Sequence, residues 1–94
     1  MTFEWDEAKR QAMIRKHRID LADAVEVLLN DPMILPAHSD IEQRFIAVGP
    51  LAGTVVAVVY TMRGNTVRMI TARRARKDEQ ERYQTLHAGG GPRD

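Results

Sequence analysis

A hairpin pattern spans residues 54–71, which read TVVAVVY at 54–60, MRGN at 62–65 and TVRMIT at 66–71. The first segment is almost continuously apolar and β-branched, which predicts a strand buried on both faces at the centre of a sheet. Gly64 and Asn65 tolerate the positive φ of a tight turn, so we expect the two flanking segments to pair as a hairpin. Every other predicted element can pack against this pair of strands.

The segments on either side of the hairpin predict three helices and two further strands. Asp6 and Asp20 are placed to cap two N-terminal helices, over about 7–17 and up to Leu29. The remaining elements are an edge strand at 33–35 that Pro36 closes, a strand at 44–48, and a mostly charged helix at about 75–86. The sequence therefore predicts an α+β fold: two N-terminal helices packed on a four-stranded, mainly antiparallel sheet, with a C-terminal helix.

The length and composition predict a small globular protein. Its 94 residues, of which 44% are hydrophobic, suit one domain over residues 1–88, and the glycine-rich segment 89–94 predicts a disordered tail. The N-terminus lacks the pattern of a signal peptide, and no apolar run approaches the roughly 20 residues of a membrane span. There is no cysteine, which suits a reducing compartment. From these features together we expect a cytoplasmic protein that does not contact a membrane.

Basic residues are concentrated after the hairpin, although the formal net charge is only +1. Arg73, Arg74, Arg76 and Lys77 are predicted at the start of the last helix, where the helix dipole disfavours cations. Guanidinium groups beside free helix amides would bind phosphate. The alternative is a solvated basic face that pairs with the acidic residues at 78, 79 and 81.

Other polar residues are candidates for the same site or for ordinary structural roles. Arg68 lies within a predicted strand, on the side of Ile70 and Ala72, where it would either bind an anion or cover its neighbours. His17, after Lys16 at a helix end, could transfer protons or simply cap the helix.

Arg44 and Glu42 flank the start of a strand, where an ordinary ion pair is the alternative to a functional role. His38, Asp40 and Glu42 alternate along an extended segment and could hold a metal, although three mixed ligands in a polar loop are a weak metal signal. The sequence contains no Ser-His-Asp constellation and no phosphate-binding glycine loop.

An ordered set of residues over about 3–83 resembles the BrnT toxins of bacterial type II toxin–antitoxin modules. The set comprises Phe3-Glu4-Trp5-Asp6, Lys9 with Lys16-His17, the stretch from Ala24 to Asp31-Pro32, Arg44-Phe45 with Gly49, and Arg68, Ile70-Thr71-Ala72-Arg73, Glu79 and Tyr83. The resemblance implies a RelE-like fold, metal-independent cleavage of RNA without a cofactor, and neutralisation by a BrnA-type antitoxin with a ribbon-helix-helix domain. It also implies that operator DNA is bound only through the antitoxin.

The resemblance also implies a set of site residues. The candidate catalytic residues are Lys16, His17, Arg44, Arg68, Arg73 and Tyr83. To these we add, as candidate RNA-binding residues outside the carried-over set, Lys9, Arg74, Arg76 and Lys77. We expect Arg68 and Arg73 to hold the scissile phosphate, and His17 or else Tyr83 to transfer protons.

Three positions depart from the family pattern. Met13 stands where the family usually has Asn, Arg18 replaces a glycine, and Thr71 replaces a serine. Because Met13 removes a hydrogen-bonding amide from the candidate site, an alternative function stays open. In that alternative the protein is a weak or inactive enzyme that binds the antitoxin and acts as a corepressor.

Overall fold

The apolar run at 54–60 lies in the central strand of a five-stranded mixed sheet, as predicted. A computed structural model describes residues 1–87 in full and residues 88–90 by their backbone. The elements in chain order are β1 (Thr2–Glu4), α1 (Glu7–His17), α2 (Leu21–Leu29), β2 (Met33–Ala37), β3 (Arg44–Leu51), β4 (Thr54–Arg63), β5 (Thr66–Arg74) and α3 (Lys77–Gly90). The strand order is β1-β5-β4-β3-β2, so β4 has a partner on each side.

The prediction of four strands was wrong by one, because Thr2–Glu4 forms β1. This strand pairs in parallel with Thr66–Arg68 of β5, and the hydroxyls of Thr2 and Thr66 are 3.1 Å apart. Three residues are too few for an alternating pattern to be recognised in a sequence. The other three pairings are antiparallel, as expected.

The two N-terminal helices begin where their aspartates predicted. Asp6 accepts the backbone N–H of Lys9 at 3.0 Å, and Asp20 accepts that of Ala22 at 2.9 Å. Both helices pack on one face of the sheet through a single apolar cluster. Its buried members are Ile19, Leu21, Ala24, Val27, Ala47, Val56, Val58, Tyr60, Val67, Met69 and Ala72.

The C-terminal helix packs on the opposite face of the sheet. Ala57 alternates with Val56 and Val58 along β4, and it belongs to a second cluster that includes Ala75 and the partly buried Tyr83. The sheet therefore lies between two helical layers. No helix within residues 1–90 is long and apolar enough to cross a membrane.

α3 continues further than the sequence predicted. It includes Gly89 and Gly90, which had been assigned to the disordered tail 89–94. Glycine weakens a helix by only about 1 kcal/mol, and the first strong stop signal in the sequence is Pro92. The rest of the predicted tail, residues 91–94, lies outside the described residues.

A β-bulge in β5 changes which side chains share a face. Tyr60 is paired with Met69 and Val59 with Thr71, so the intervening Ile70 is an extra residue without a partner on β4. An extra residue shifts the alternation of the side chains that follow it. Ala72 is therefore buried in the same cluster as Met69, and the prediction that it shares the side of Arg68 was wrong.

Candidate functional site

Arg68 and Arg73 lie on the same face of the sheet, the one on which α3 packs. Arg68 is paired with Thr61 and Arg73 with Ala57 in the β4–β5 register. Thr61 and Ala57 are four residues apart on β4, so their side chains point to one face. At about 3.3 Å per residue, the two arginines are roughly 13 Å apart along the strand.

Arg44 is on this face as well. Its neighbour Phe45 packs into the cluster beneath the N-terminal helices, so the Arg44 side chain points the other way. Its Nε donates to Glu42 at 3.1 Å, and a nitrogen of Arg63 is 3.8 Å from the same carboxylate. We call Arg44, Arg68 and Arg73 together the arginine face.

Carboxylates partly neutralise the arginine face. Glu42 pairs with Arg44, and Glu4 of β1 lies 3.7 Å from Arg68. The ion pair between Arg44 and Glu42, weighed above against a functional role, is present within one segment of the chain. The Glu4–Arg68 contact is long for a hydrogen bond, and both side chains are partly exposed, so an anion can compete with it.

Arg73 is held much more firmly, by Glu79 of α3. The Arg73 Nη1 and Nη2 atoms donate to the two carboxylate oxygens of Glu79 at 2.8 and 3.0 Å. Glu79 is only 5% exposed and also accepts the backbone N–H of Arg76 at 2.8 Å, which is half of a capping box. The hydrogen bonds between the two side chains are the main reason that the pKa of Arg73 is raised and the pKa of Glu79 is lowered.

At the predicted anion site beside the last helix, Arg73 already binds a carboxylate of the protein through two of its N–H groups. The prediction placed Arg73 and Arg74 at the start of that helix, whereas both belong to β5, paired with Ala57 and Val56. The error arose because β5 continues past Thr71 after the bulge. Only Arg76 precedes the first turn of α3 directly.

His17 lies on the other side of the sheet from Arg73. It lines a pocket of about 420 Å³ together with Arg74 and Val56. Val56 is paired with Arg74 and is buried beneath the N-terminal helices, so this pocket belongs to the α1–α2 side. Lys16 is exposed in the last turn of α1. The predicted catalytic set is thus divided between two faces.

Tyr83 is brought close to the Arg73–Glu79 pair by the helix that carries it. It follows Glu79 by four residues, so the two side chains lie on the same face of α3. Tyr83 packs against the second core cluster, and its ring centroid lies 4.2 Å from that of His87. Among the predicted proton-transfer residues, Tyr83 is therefore the one on the side of the arginine face.

The remaining predicted RNA-binding residues are exposed and dispersed. Lys9 lies on α1, Arg74 ends β5, and Arg76 and Lys77 flank the start of α3. Arg74, Arg76 and Lys77 lie around the end of β5, and none of the four side chains forms an ion pair with the residues described in full. They offer charge to a flexible ligand rather than a defined pocket.

The alternating residues His38, Asp40 and Glu42 do not form a metal centre. His38 and Asp40 pair with each other at 3.3 Å on the surface, whereas Glu42 pairs with Arg44. Within residues 1–90 there is no group of three side chains that could hold a metal ion.

Two contacts at the site were missed in the sequence. The Glu79 bond to Arg76 has the spacing of a capping box, so the sequence contained a signal for it. The Thr71 hydroxyl donates to the Met13 sulfur at 3.1 Å, and no sequence pattern indicates this contact across 58 positions. It joins two of the residues that depart from the family pattern.

Comparisons with known proteins agree with the resemblance seen in the sequence. A family model described as "Ribonuclease toxin, BrnT, of type II toxin-antitoxin system" matches residues 5–79, a range that includes the arginine face and Glu79. The 1.1 Å crystal structure of the Brucella abortus ribonuclease toxin, BrnT, is similar, with 34% sequence identity and a TM-score of 0.68. The match covers 82% of this chain and 99% of that chain. No match is found among curated protein sequences.

Proposed function

The chain belongs to the BrnT family of ribonuclease toxins of type II toxin–antitoxin systems, and we propose that it cleaves RNA on the arginine face by metal-independent, RelE-like chemistry. The family gives the protein its class as an endoribonuclease toxin with an antitoxin partner. Beyond this class, we propose the site, the mechanism and the identity of the partner.

The β-bulge of β5 is the observation that carries this proposal. Arg68 and Arg73 are five residues apart, so a regular strand would point them to opposite faces. The extra residue Ile70 brings both to one face, which also holds Arg44. Guanidinium groups spaced along one side of a rigid sheet suit several phosphates of a single strand, because arginine binds phosphate through two parallel hydrogen bonds.

Metal-free cleavage requires three events at the scissile phosphate. The 2′-oxygen loses its proton and attacks phosphorus, the bond to the 5′-oxygen breaks, and the 5′-oxygen gains a proton. The products are a 2′,3′-cyclic phosphate and a 5′-hydroxyl. Arg73 stabilises the charge that develops on the scissile phosphate, and Arg68, roughly 13 Å away along the strand, positions the flanking backbone together with Arg44. Tyr83 replaces His17 as the favoured group for proton transfer, because it lies on the correct face.

The other predicted residues contact RNA outside the scissile bond. Arg74 follows Arg73 and points to the opposite face, so a strand that passes the end of β5 meets both residues. Such a strand would reach Lys16 and His17 on the α1–α2 side. Lys9, Arg76 and Lys77 add non-specific attraction for the phosphate backbone.

The partner is proposed to be a BrnA-like antitoxin with a ribbon-helix-helix domain. An apolar groove of about 680 Å³ lies between β2 and α3, and both Ile34 and Leu86 at this groove are well exposed. Asp78 and Glu81 line the same groove, which favours a partner segment with apolar and basic residues. The complex would act in the cytoplasm and bind operator DNA only through the antitoxin.

The decisive experiment is incubation of the purified protein with naked RNA in excess chelator, beside Arg73→Ala. Arg82→Ala is the matched control, because it removes an exposed arginine of α3 that lines the groove at β2. We expect cleavage that leaves 2′,3′-cyclic phosphate ends, lost in Arg73→Ala and retained in Arg82→Ala. Cleavage that survives Arg73→Ala would overturn the assignment of the site.

The alternative function predicts a different outcome of the same experiment. A corepressor without catalysis would bind RNA or antitoxin and leave RNA intact in every variant. The specific observation in its favour is that each member of the arginine face already has a carboxylate partner. Activity that requires added metal would contradict both readings.

A further inference from the structure

We propose that Glu79 is a positioning residue, which orients Arg73 so that a second pair of its N–H groups is left for the scissile phosphate. This inference rests on the proposed function and adds a residue to it. It assigns to the buried ion pair a role in the reaction rather than in stability alone.

The hydrogen bonds of Arg73 show which donors remain. A guanidinium group has five N–H donors in one plane. Two of them bind the Glu79 carboxylate, and Nη1 also donates to the Arg74 carbonyl oxygen at 3.2 Å. Within the residues described in full, the Nε–H and the outer Nη2–H have no protein acceptor. These two donors lie side by side on one edge of the guanidinium, where they match two oxygens of a phosphate.

The Glu79 carboxylate is held in one position, so it can hold the Arg73 guanidinium in one orientation. Its carboxylate is buried, it accepts the backbone N–H of Arg76, and it belongs to the first turn of α3. An arginine without such a partner would have to give up several rotamers when substrate binds. Donors that are already oriented toward developing charge contribute most to catalysis, because they do not reorganise during the reaction.

A competing interpretation is that Glu79 occupies the phosphate site and blocks it. The geometry argues against that role. A blocking carboxylate must leave when the substrate arrives, but Glu79 is only 5% exposed and accepts three hydrogen bonds, one of them from the backbone. The phosphate can instead approach the neighbouring edge of Arg73, formed by the Nε–H and the outer Nη2–H, and the Arg73 side chain is 21% exposed.

The two interpretations predict opposite effects of Glu79→Gln. Positioning predicts that the single-turnover cleavage rate falls about 100-fold, the usual cost of one oriented donor, while the affinity for a non-cleavable 2′-deoxy substrate stays within a few-fold. Blocking predicts faster cleavage or tighter binding. Glu7→Gln is the matched control, because Glu7 is exposed on α1, away from the arginine face and from the groove beside β2; we expect its rate to equal the wild-type rate.

A double-mutant cycle separates positioning from a structural role. If Glu79 acts through Arg73, Glu79→Gln lowers the rate in the wild-type protein and has no further effect on the rate of Arg73→Ala. Equal losses in both backgrounds, or no loss in the wild-type background, would overturn the inference. If Arg73→Ala itself cleaves normally, the proposed function fails instead, so the two failures are distinguishable.

Two further measurements keep the test valid if Glu79→Gln folds poorly. Glu79→Asp keeps the charge but shortens the side chain by one methylene, and thermal melting shows whether it is folded. We expect a rate between those of wild type and Glu79→Gln. In the wild-type protein, a 2′-deoxy dinucleotide should shift the NMR signal of the Arg73 Nε–H. No shift at saturating dinucleotide would contradict the proposed approach of the phosphate.

Discussion

Arg68→Ala tests the arginine face without disturbing the buried ion pair at Arg73. Arg68 is 29% exposed, and its nearest carboxylate oxygen, on Glu4, is 3.7 Å away. Its removal leaves no buried charge without a partner, so the fold should be retained. If the guanidinium binds a phosphate of the RNA, the variant loses one counterion-releasing contact.

The expected magnitude follows from counterion release. Each phosphate contact on a single strand contributes about −0.7 to the slope of log affinity against log salt concentration. Three arginines on one face therefore predict a slope of roughly −2, to which other exposed cations add. Arg68→Ala should reduce the slope by about 0.7. When the salt concentration rises from about 50 to 200 mM, the affinity of Arg68→Ala should therefore fall by a factor that is roughly 2.5 times smaller than the factor for the wild-type protein.

Glu4→Gln provides a perturbation of opposite sign at the same place. The Glu4 carboxylate competes with phosphate for Arg68, and an exposed pair of this kind is worth about 0.2–1 kcal/mol. Its removal should therefore strengthen RNA binding by up to about fivefold. In the Arg68→Ala background, adding Glu4→Gln should strengthen RNA binding only slightly, because it then removes a single negative charge that no longer competes for Arg68.

The assay is fluorescence anisotropy of a labelled 2′-deoxy oligonucleotide, titrated with each variant at several salt concentrations. Arg82→Ala again serves as the matched control, since it removes an exposed arginine beside the groove at β2. A salt slope for Arg68→Ala equal to that of the wild-type protein would refute the idea that this face binds the RNA backbone.

Four further predictions follow from single contacts. Arg18→Gly should raise the free energy of unfolding in urea by about 1 kcal/mol, because Arg18 has φ 58°, whereas Arg18→Ala should bring no comparable gain. Asp20→Asn loses the charged pair with Arg10 but keeps the helix cap, so Asp20→Ala should be less stable than Asp20→Asn by about 1 kcal/mol. Folding lowers the pKa of Glu79, so the ionised carboxylate stabilises the folded state at pH values above the unfolded pKa of about 4.3. This stabilisation is lost as the pH falls through the lower pKa of the folded state. Below about pH 4, the free energy of unfolding of the wild-type protein should therefore decline more steeply than that of Glu79→Gln, as measured by urea unfolding at each pH. His17→Ala should keep the cleavage rate within roughly tenfold, and a loss of about 100-fold or more in a quenched time course would return His17 to the catalytic set.

Much of the fold was predictable because its signals are local. Asp6 and Asp20 cap the helices that follow them, and the apolar run at 54–60 forms the central strand. These features depend on interactions within a few residues or on one uninterrupted pattern. Thr2–Glu4 was missed as a strand because its stability comes from pairing with residues more than sixty positions away.

The candidate site was predictable in composition but not in arrangement. The basic residues after the hairpin were expected together at the start of the last helix, whereas Arg73 and Arg74 belong to β5 and point to opposite faces. Side-chain alternation also assigned Ala72 to the side of Arg68. That assignment assumed a regular strand, and a bulge is decided by how two strands fit together rather than by the residues of one. Because the sequence does not show how the strands fit together, it also did not show that His17 and Arg73 lie on opposite sides of the sheet.

α3 connects the groove to the proposed catalytic arginine. Residues 78, 81, 82, 85 and 86 of this helix line the groove beside β2, whereas Glu79 and Tyr83 face the sheet. A helix moves as a stiff body, so a partner that tilts α3 at the groove also displaces Glu79. Catalytic groups tolerate displacements of only about 0.5 Å, and Glu79 is bonded to Arg73 through both of its oxygens. An antitoxin in the groove could therefore disorder Arg73 without covering it, and hydrogen exchange at Arg76, whose amide Glu79 accepts, would detect that change directly.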